Sequence, residues 1–388
     1  MVSQDREKEA KYKIYNWLKE TGFNQFAEAI EKRVIGQSEL RPLLFVIYNY
    51  LECIVYNRPI KHNILLAGPS GCGKTELYRT LRDYFSEKLE LSVTRVDTST
   101  ITTAGFKGAE PSSILEPYAS GGKAHGFGII FLDEFDKRLI PQHAGSGENI
   151  SNVSLEVQNN FLKIIEGSVV TVNKTNMVNT EKLLFIGMGS FAYVRKKRQN
   201  NVKMTAYIGF NREENTKVDE VKDPYHPVVR EDITDYGAAV ELIARFPYLI
   251  NFKPLQEEYL ESLIEKVRSE VEKTLIHAEL IIMQPMIEFL KENCRSEYGV
   301  RKVDELIRDK AMTAYREAAT IHASELETHT LVITLLTKEE YEISFREQIV
   351  EEPDLLEEMQ KDEYIYSEWD ELIKDGIKDF WRGEFANV

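Results

Sequence analysis

Cysteine is scarce. Cys53, Cys72 and Cys294 are the three cysteines in 388 residues, too few and too scattered for a disulfide framework or, by themselves, a four-ligand zinc site. Reduced, structural thiols are expected. Long apolar runs are missing as well. The longest candidate, Leu43 to Tyr56, is broken by Asn49 and Glu52, short of the roughly 20 uninterrupted apolar residues a membrane helix needs. Basic charge is in deficit: 49 Lys and Arg against 64 Asp and Glu leave a net charge of -15, which repels a phosphate backbone and argues against sequence-independent nucleic-acid binding. The amino-terminal stretch from Met1 to Glu9 is charged, where a secretory signal would carry an apolar core and a transit peptide would avoid acids. A cytoplasmic location is therefore expected. No histidine and acid cluster resembles a peptidase site, and His125 is read as a loop residue.

What is present is an ordinary globular composition, 43% hydrophobic and 29% charged, on a chain long enough for two or three domains. Residues 1–32 place apolar side chains at helical spacing (Tyr15, Leu18, Phe23, Phe26, Ile30) and read as one or two lead-in helices. From Asn63 onward, short apolar runs (Ile64 to Ala67, Val93 to Val96, Ile129 to Leu132, Leu183 to Ile186, Tyr248 to Phe252) alternate with helical stretches. That rhythm predicts an α/β fold, a parallel sheet wrapped by helices, over 33–250. Residues 193–232 are polar, with blocks of like charge, and read as a long loop or insertion. Residues 254–323 show helical periodicity throughout, then a strand around Thr330 to Leu336, which predicts a separate small α-rich domain over 251–349. The segment from Glu351 holds 13 acids and 4 bases, so 350–388 is set apart as an acidic, aromatic tail. Its residues are either solvated or a surface for a partner or basic substrate.

The strongest local signal is Gly68, Pro69, Ser70, Gly71, Cys72, Gly73, Lys74, Thr75, directly after an apolar run and before a helical stretch. This is a complete phosphate-binding loop in its proper setting. Its glycines let successive N–H groups and a helix N-terminus face phosphates, Lys74 adds charge at the β and γ groups, and the Thr75 hydroxyl can take magnesium. Some 60 residues later, Gly128 to Leu132 ends in Asp133 and Glu134. An open α/β sheet places its ligands at that end of its strands. Asp133 would hold the magnesium through water, and Glu134 would orient or deprotonate an attacking water. The competing reading is that the paired acids cap a following helix.

The stretches Val34-Ile35-Gly36-Gln37, Asn63 to Thr75, Thr98 to Gly108, Phe131 to Lys137, Val157 to Gly167 and Ala244 to Pro247 together resemble the ClpX branch of the AAA+ ATPases, over roughly residues 33–340. The resemblance implies an AAA+ P-loop NTPase core with a small α-rich C-terminal lid, ATP and Mg2+ as cofactors, and ATP-dependent unfolding of protein substrates threaded through a homo-oligomeric ring, six-membered in that family. It also implies that Val34 and Ile35 pack on the adenine, that Arg245 is an arginine finger reaching the neighbouring subunit's nucleotide, and that Arg301 is the second sensor arginine. Gly105, Phe106, Lys107 and Gly108 match the pore loop that grips an extended polypeptide, an aromatic between glycines. A second pore loop falls in Gln142 to Val153. Ile208, Gly209 and Phe210 match the tripeptide with which such proteins dock on a ClpP-type peptidase ring; the alternative is that they fold back on their own subunit. For the first sensor only Ser190 offers a polar side chain near its strand end.

Two departures from the family stand out. The cysteine-rich zinc domain is absent from the sequence, and Ser168 to Asn179 lacks the basic pore-entrance loop, so recognition of the usual degradation tags is not implied. The leading expectation is an unfoldase feeding a ClpP-type peptidase. Two alternatives share the nucleotide site: a stand-alone remodelling chaperone, and a DNA-acting motor, for which Arg195 to Arg198 would be the sole basic track.

Overall fold

The computed structural model describes residues 2–101, 110–119, 126–140, 143–144, 151–172, 176–194, 227–294, 300–326 and 328–347. Two lead-in helices, α1 (Val2–Glu20) and α2 (Phe23–Glu31), precede α3 (Leu40–Val55). Next come β1 (Ile64–Ala67), α4 (Lys74–Leu89), β2 (Val93–Asp97), β3 (Gly128–Asp133) and the short α5 (Asp136–Leu139). Two minor hairpins follow, β4 (His143–Ala144) with β5 (Ser151–Asn152), and β6 (Val169–Val172) with β7 (Asn176–Asn179), separated by α6 (Val153–Ile165). Then β8 (Leu183–Gly189), α7 (Arg230–Asp235), α8 (Val240–Ala244) and β9 (Tyr248–Asn251) complete the larger unit.

Its sheet has five strands in the order β2-β3-β8-β1-β9, all parallel. The continuous apolar runs are explained by burial on both faces. On β1, Ile64 and Leu66 enter a core with Trp17, Phe26 and Phe85 from the lead-in helices and α4, while Leu65 and Ala67 enter the opposite core with Phe135, Phe161 and Phe246. The same partition by alternate residues splits Ile129 and Phe131 from Ile130 and Leu132 on β3, as the pleat requires. The lead-in helices therefore close one face of the sheet.

The second unit holds α9 (Leu260–Glu272), β10 (Ala278–Ile282), α10 (Gln284–Cys294), α11 (Val300–Ile321), α12 (Ala323–Leu326), β11 (His329–Leu335) and β12 (Tyr341–Glu347). Its sheet runs β10-β11-β12, the first pair parallel and the second antiparallel. Leu263, Val267, Leu290, Ile307, Leu331 and Ile333 share a separate core. The helical expectation for 254–323 thus needs correction at β10. Ala278 to Ile282 is an apolar run of strand length, and pairing with β11 rather than local periodicity decides it. The strand expected at Thr330 is present as β11, and its partner β12 alternates apolar and polar residues on an outer edge.

Candidate functional site

Three strand ends converge. β1 stops at Ala67, β3 at Asp133 and β8 at Gly189, all at the carboxyl edge of the sheet, where α/β folds bind ligands. The loop after β1 is shaped by its glycines. Gly71 and Gly73 have φ of 75° and 98°, a left-handed backbone that a side chain resists. A Cβ on Gly68 would lie 2.7 Å from the Cys72 Sγ and 3.0 Å from the Phe252 Cβ, so the loop packs on β9's continuation with no room for a side chain. The Lys74 Nζ donates to the carbonyls of Gly68 at 2.6 Å and Pro69 at 2.8 Å, which holds the ammonium over the loop. Gly73 precedes α4, whose first-turn residues Lys74, Thr75 and Glu76 line the same space.

A cavity of about 550 Å3 opens there. Val34 and Ile35, Ser70 to Thr75, Asp133 and Glu134, and Arg301 all line it, so most residues singled out from the sequence for nucleotide contact share one space. Gly68 and Pro69 form the loop's start beside it. Ser190 also lines the cavity. Arg245 does not: its guanidinium pairs with Glu166 on the surface. Its backbone carbonyl accepts from the Asn63 Nδ2 at 3.1 Å, while the Asn63 Oδ1 accepts from the Phe185 N–H at 3.0 Å. The segment that carries Arg245 is thereby tied to β8. Gly105 to Gly108, Ile208 to Phe210 and the tail from Glu351 lie outside the described residues, as does most of Gln142 to Val153.

The carboxylates differ in setting. The Asp133 Oδ1 accepts from the Glu134 N–H at 3.0 Å, and its Oδ2 is 3.7 Å from the Arg95 Nη1. Glu134 has φ of 54°, a conformation costing an L-residue about 1–2 kcal/mol. Strain of this kind collects at functional sites. Lys137 pairs with the Glu134 Oε2 at 2.6 Å, and that hydrogen bond raises the lysine's pKa. Among the described residues no group of three His, Cys, Asp or Glu is arranged to cage a metal. Magnesium does not need one, since it commonly takes one or two protein oxygens plus phosphate and water. The Asp133 carboxylate and the Thr75 hydroxyl are hard oxygen donors that fit it.

The second unit closes the cavity's other side. Leu263, Lys266, Val267, Val300, Arg301 and Arg308 line it from α9 and α11. The Lys266 Nζ donates to the Glu76 Oε1 at 2.9 Å and the Arg33 carbonyl at 2.8 Å, so α9 is joined to the first turn of α4. Gln37, buried, donates from Nε2 to the carbonyls of Cys72 and Lys253 and accepts from the Lys253 N–H, all at 2.9–3.0 Å. One amide thus links the phosphate-binding loop to the chain leading into the second unit. Gly36, at φ 77°, faces Tyr259; a Cβ there would be 2.9 Å from the ring.

In the sequence Gly36 and Gln37 stand within a motif without a task of their own, and nothing in it singles out Lys137 or Lys266. Asp136 carried a signal. It is the third acid in Asp133-Glu134-Phe135-Asp136-Lys137, and it is almost fully buried. Burial pushes its carboxyl above the usual range, partly offset by the Phe191 N–H, the Ser190 hydroxyl and the charges of Lys74 and Lys137.

A phosphate-binding loop after β1, acids ending β3 and a second unit capping the cavity define an α/β core shaped to hold a nucleotide. Residues 60–248, a little under half of the chain, match the family model described as AAA domain (Cdc48 subfamily). Among curated proteins the chain's likeness is to ClpX. It is 28% identical over 277 residues to the ATP-dependent Clp protease ATP-binding subunit ClpX of Azotobacter vinelandii. It is 30% identical over 278 residues to that of Bacteroides thetaiotaomicron, and 31% over 276 to that of Treponema denticola. Each match takes in 64% of this chain and 62–64% of the relative, so the chain spans a little under two thirds of the relatives' length.

Proposed function

We propose that this chain binds ATP with magnesium at the cavity between its two units, hydrolyses it, and uses the energy to unfold proteins and thread them through a homo-oligomeric ring. The observation that carries the reading is the convergence in one cavity of the Lys74 loop, the Asp133–Glu134 pair and Arg301 of the second unit. Phosphoryl transfer needs little beyond positioning and charge stabilisation, and this set supplies both. The loop N–H groups and Lys74 hold the phosphates. Asp133 and Thr75 would hold a magnesium ion, which would supply positive charge against the phosphates when bound. Glu134 orients the attacking water and takes its proton. Val34 and Ile35 offer an apolar wall for the base.

Arg245 serves the neighbouring subunit. Its exposure, with a surface carboxylate as partner, suits a guanidinium that acts across an interface, and a head-to-tail contact of this kind closes into a ring. Six subunits follow the family. In this reading 1–32 are a helical lead-in, 33–250 the large ATPase domain, 251–349 the small domain and 350–388 an acidic tail concerned with substrate choice. Gly105 to Gly108 grip the polypeptide, and Ile208 to Phe210 dock a ClpP-type peptidase in the cytoplasm. The names of the relatives, each an ATP-binding subunit of a Clp protease, support that partnership.

The test is phosphate release from ATP by the full chain and by Glu134→Gln, with binding followed by a fluorescent ATP analogue. Loss of a general base lowers the rate by about 10²- to 10⁴-fold while the analogue still binds. Equal rates in the two proteins would remove Glu134 from the reaction and the reading with it.

A further inference from the structure

The turn after β3 is fastened to the end of β8 by one side chain. Asp136 opens α5, yet its carboxylate does not cap that helix. It reaches sideways, where Oδ2 accepts from the Phe191 N–H at 2.8 Å and from the Ser190 hydroxyl at 3.2 Å. Its backbone carbonyl accepts from the Tyr193 Oη at 3.1 Å, and the preceding Phe135 N–H donates to the Met188 carbonyl at 2.8 Å. The fit against β8 is close. A Cβ on Gly189 would stand 2.5 Å from the Asp136 Cγ, so only a glycine lets the carboxylate in.

Two residues on either side of this carboxylate, Glu134 at φ 54° and Phe191 at φ 49°, are non-glycine residues in the left-handed region. Such backbone persists where surrounding contacts over-determine it, and Asp136 supplies those contacts on the β8 side. A nearly buried carboxylate is costly unless its hydrogen bonds are made, and here they are made to the two residues that set where the Ser190 side chain stands in the cavity.

We propose that Asp136 is a positioning residue for ATP hydrolysis: it fixes the Ser190 hydroxyl at the phosphate end of the cavity and acts on the reaction through it. The proposal rests on the reading of that cavity as the hydrolytic site. A carboxylate present only for packing would leave Ser190 idle. A carboxylate that positions Ser190 makes the two residues one unit, whose losses do not add.

Steady-state phosphate release by the full chain separates these. Asp136→Ala is expected to lower kcat about 10- to 100-fold, the scale of a misplaced reacting geometry, with KM for ATP little changed. Ser190→Ala lowers kcat to a similar level, and the double variant is no slower than the slower single one. Asp136→Asn, whose side-chain oxygen can still accept both bonds, recovers most of the rate. Full kcat in Ser190→Ala, or losses that multiply in the double variant, would overturn the proposal. Should Asp136→Ala not fold, Asp136→Asn and Ser190→Ala still decide, because an inactive Asn variant is as contrary as an active Ser190→Ala. Wild type and Glu134→Gln run alongside: no release by wild type sinks the reading of the site itself, whereas an active wild type with an unaffected Ser190→Ala sinks only the role of Asp136.

Discussion

Tyr50 shows how a single polar atom can be held inside the larger core. Its ring is fully buried, and its hydroxyl accepts from the Gly128 N–H at 3.0 Å while lying 2.9 Å and 3.0 Å from the carbonyls of Gly128 and Lys182. That joins α3 to the starts of β3 and β8. Burial pushes the phenol well above its ordinary pKa, against the opposing pull of the Gly128 hydrogen bond. Tyr50→Phe keeps the packing and leaves a buried donor unpaired, so urea unfolding should show a loss of about 1–3 kcal/mol; an unchanged midpoint would mean that the Gly128 N–H finds another acceptor. At this scale the sequence is uneven as a guide. Lys74, Thr75, Asp133 and Glu134 are legible because chemistry dictates both residue type and spacing. Gln37, Asp136 and Lys266 are not, because their partners lie 35, 54 and 190 positions away in the chain, and no local pattern encodes a contact of that span.

Between elements, His62 is the hinge pin of α3, β1 and β9. Its Nδ1 accepts from the Lys61 N–H at 3.2 Å, so Nε2 carries the proton towards the Asn49 Oδ1 at 2.6 Å, and the ring stacks on Tyr248 at 6.3 Å between centroids. Burial lowers its pKa. A base whose folded pKa is depressed binds its proton more readily when unfolded, so its contribution to stability is whole above the unfolded value near 6.5 and is lost as pH falls through the folded one. The thermal midpoint of the native chain should therefore drop between pH 7 and pH 5 more than that of His62→Gln; parallel curves would contradict it. Elements themselves were mostly readable. β1, β3 and β8 coincide with continuous apolar runs because strands buried on both faces cannot hide a polar residue, whereas the edge strands β2 and β9 carry exposed positions such as Arg95 and Tyr248. β10 was lost within a helical reading, since five residues with a strand's apolar content look the same in either period. The β6–β7 hairpin, with Val169 and Met177 exposed, lacks the alternation that would have announced it.

At the scale of the whole molecule, the two units meet around the cavity through Gln37, the Lys266–Glu76 pair and the lining from α11, so a nucleotide held there touches both. Such a ligand can change how the units sit, which is how binding energy becomes motion. The charge distribution fits a protein-handling machine better than a nucleic-acid one: of the net -15, the segment from Glu351 supplies -9. The proposed ring contact and peptidase docking belong to surfaces a single chain does not complete, and the sequence reaches them through motifs, Ala244 to Pro247 around Arg245 and Ile208 to Phe210, rather than through packing. The most direct measurement is ATP-dependent degradation of an unfolded, fluorescently labelled protein by this chain with a ClpP peptidase, comparing wild type, Glu134→Gln and Phe210→Ala. The account predicts degradation by wild type alone, with Phe210→Ala still hydrolysing ATP. Normal ATP hydrolysis by wild type without degradation would contradict it and leave a motor that works without a peptidase.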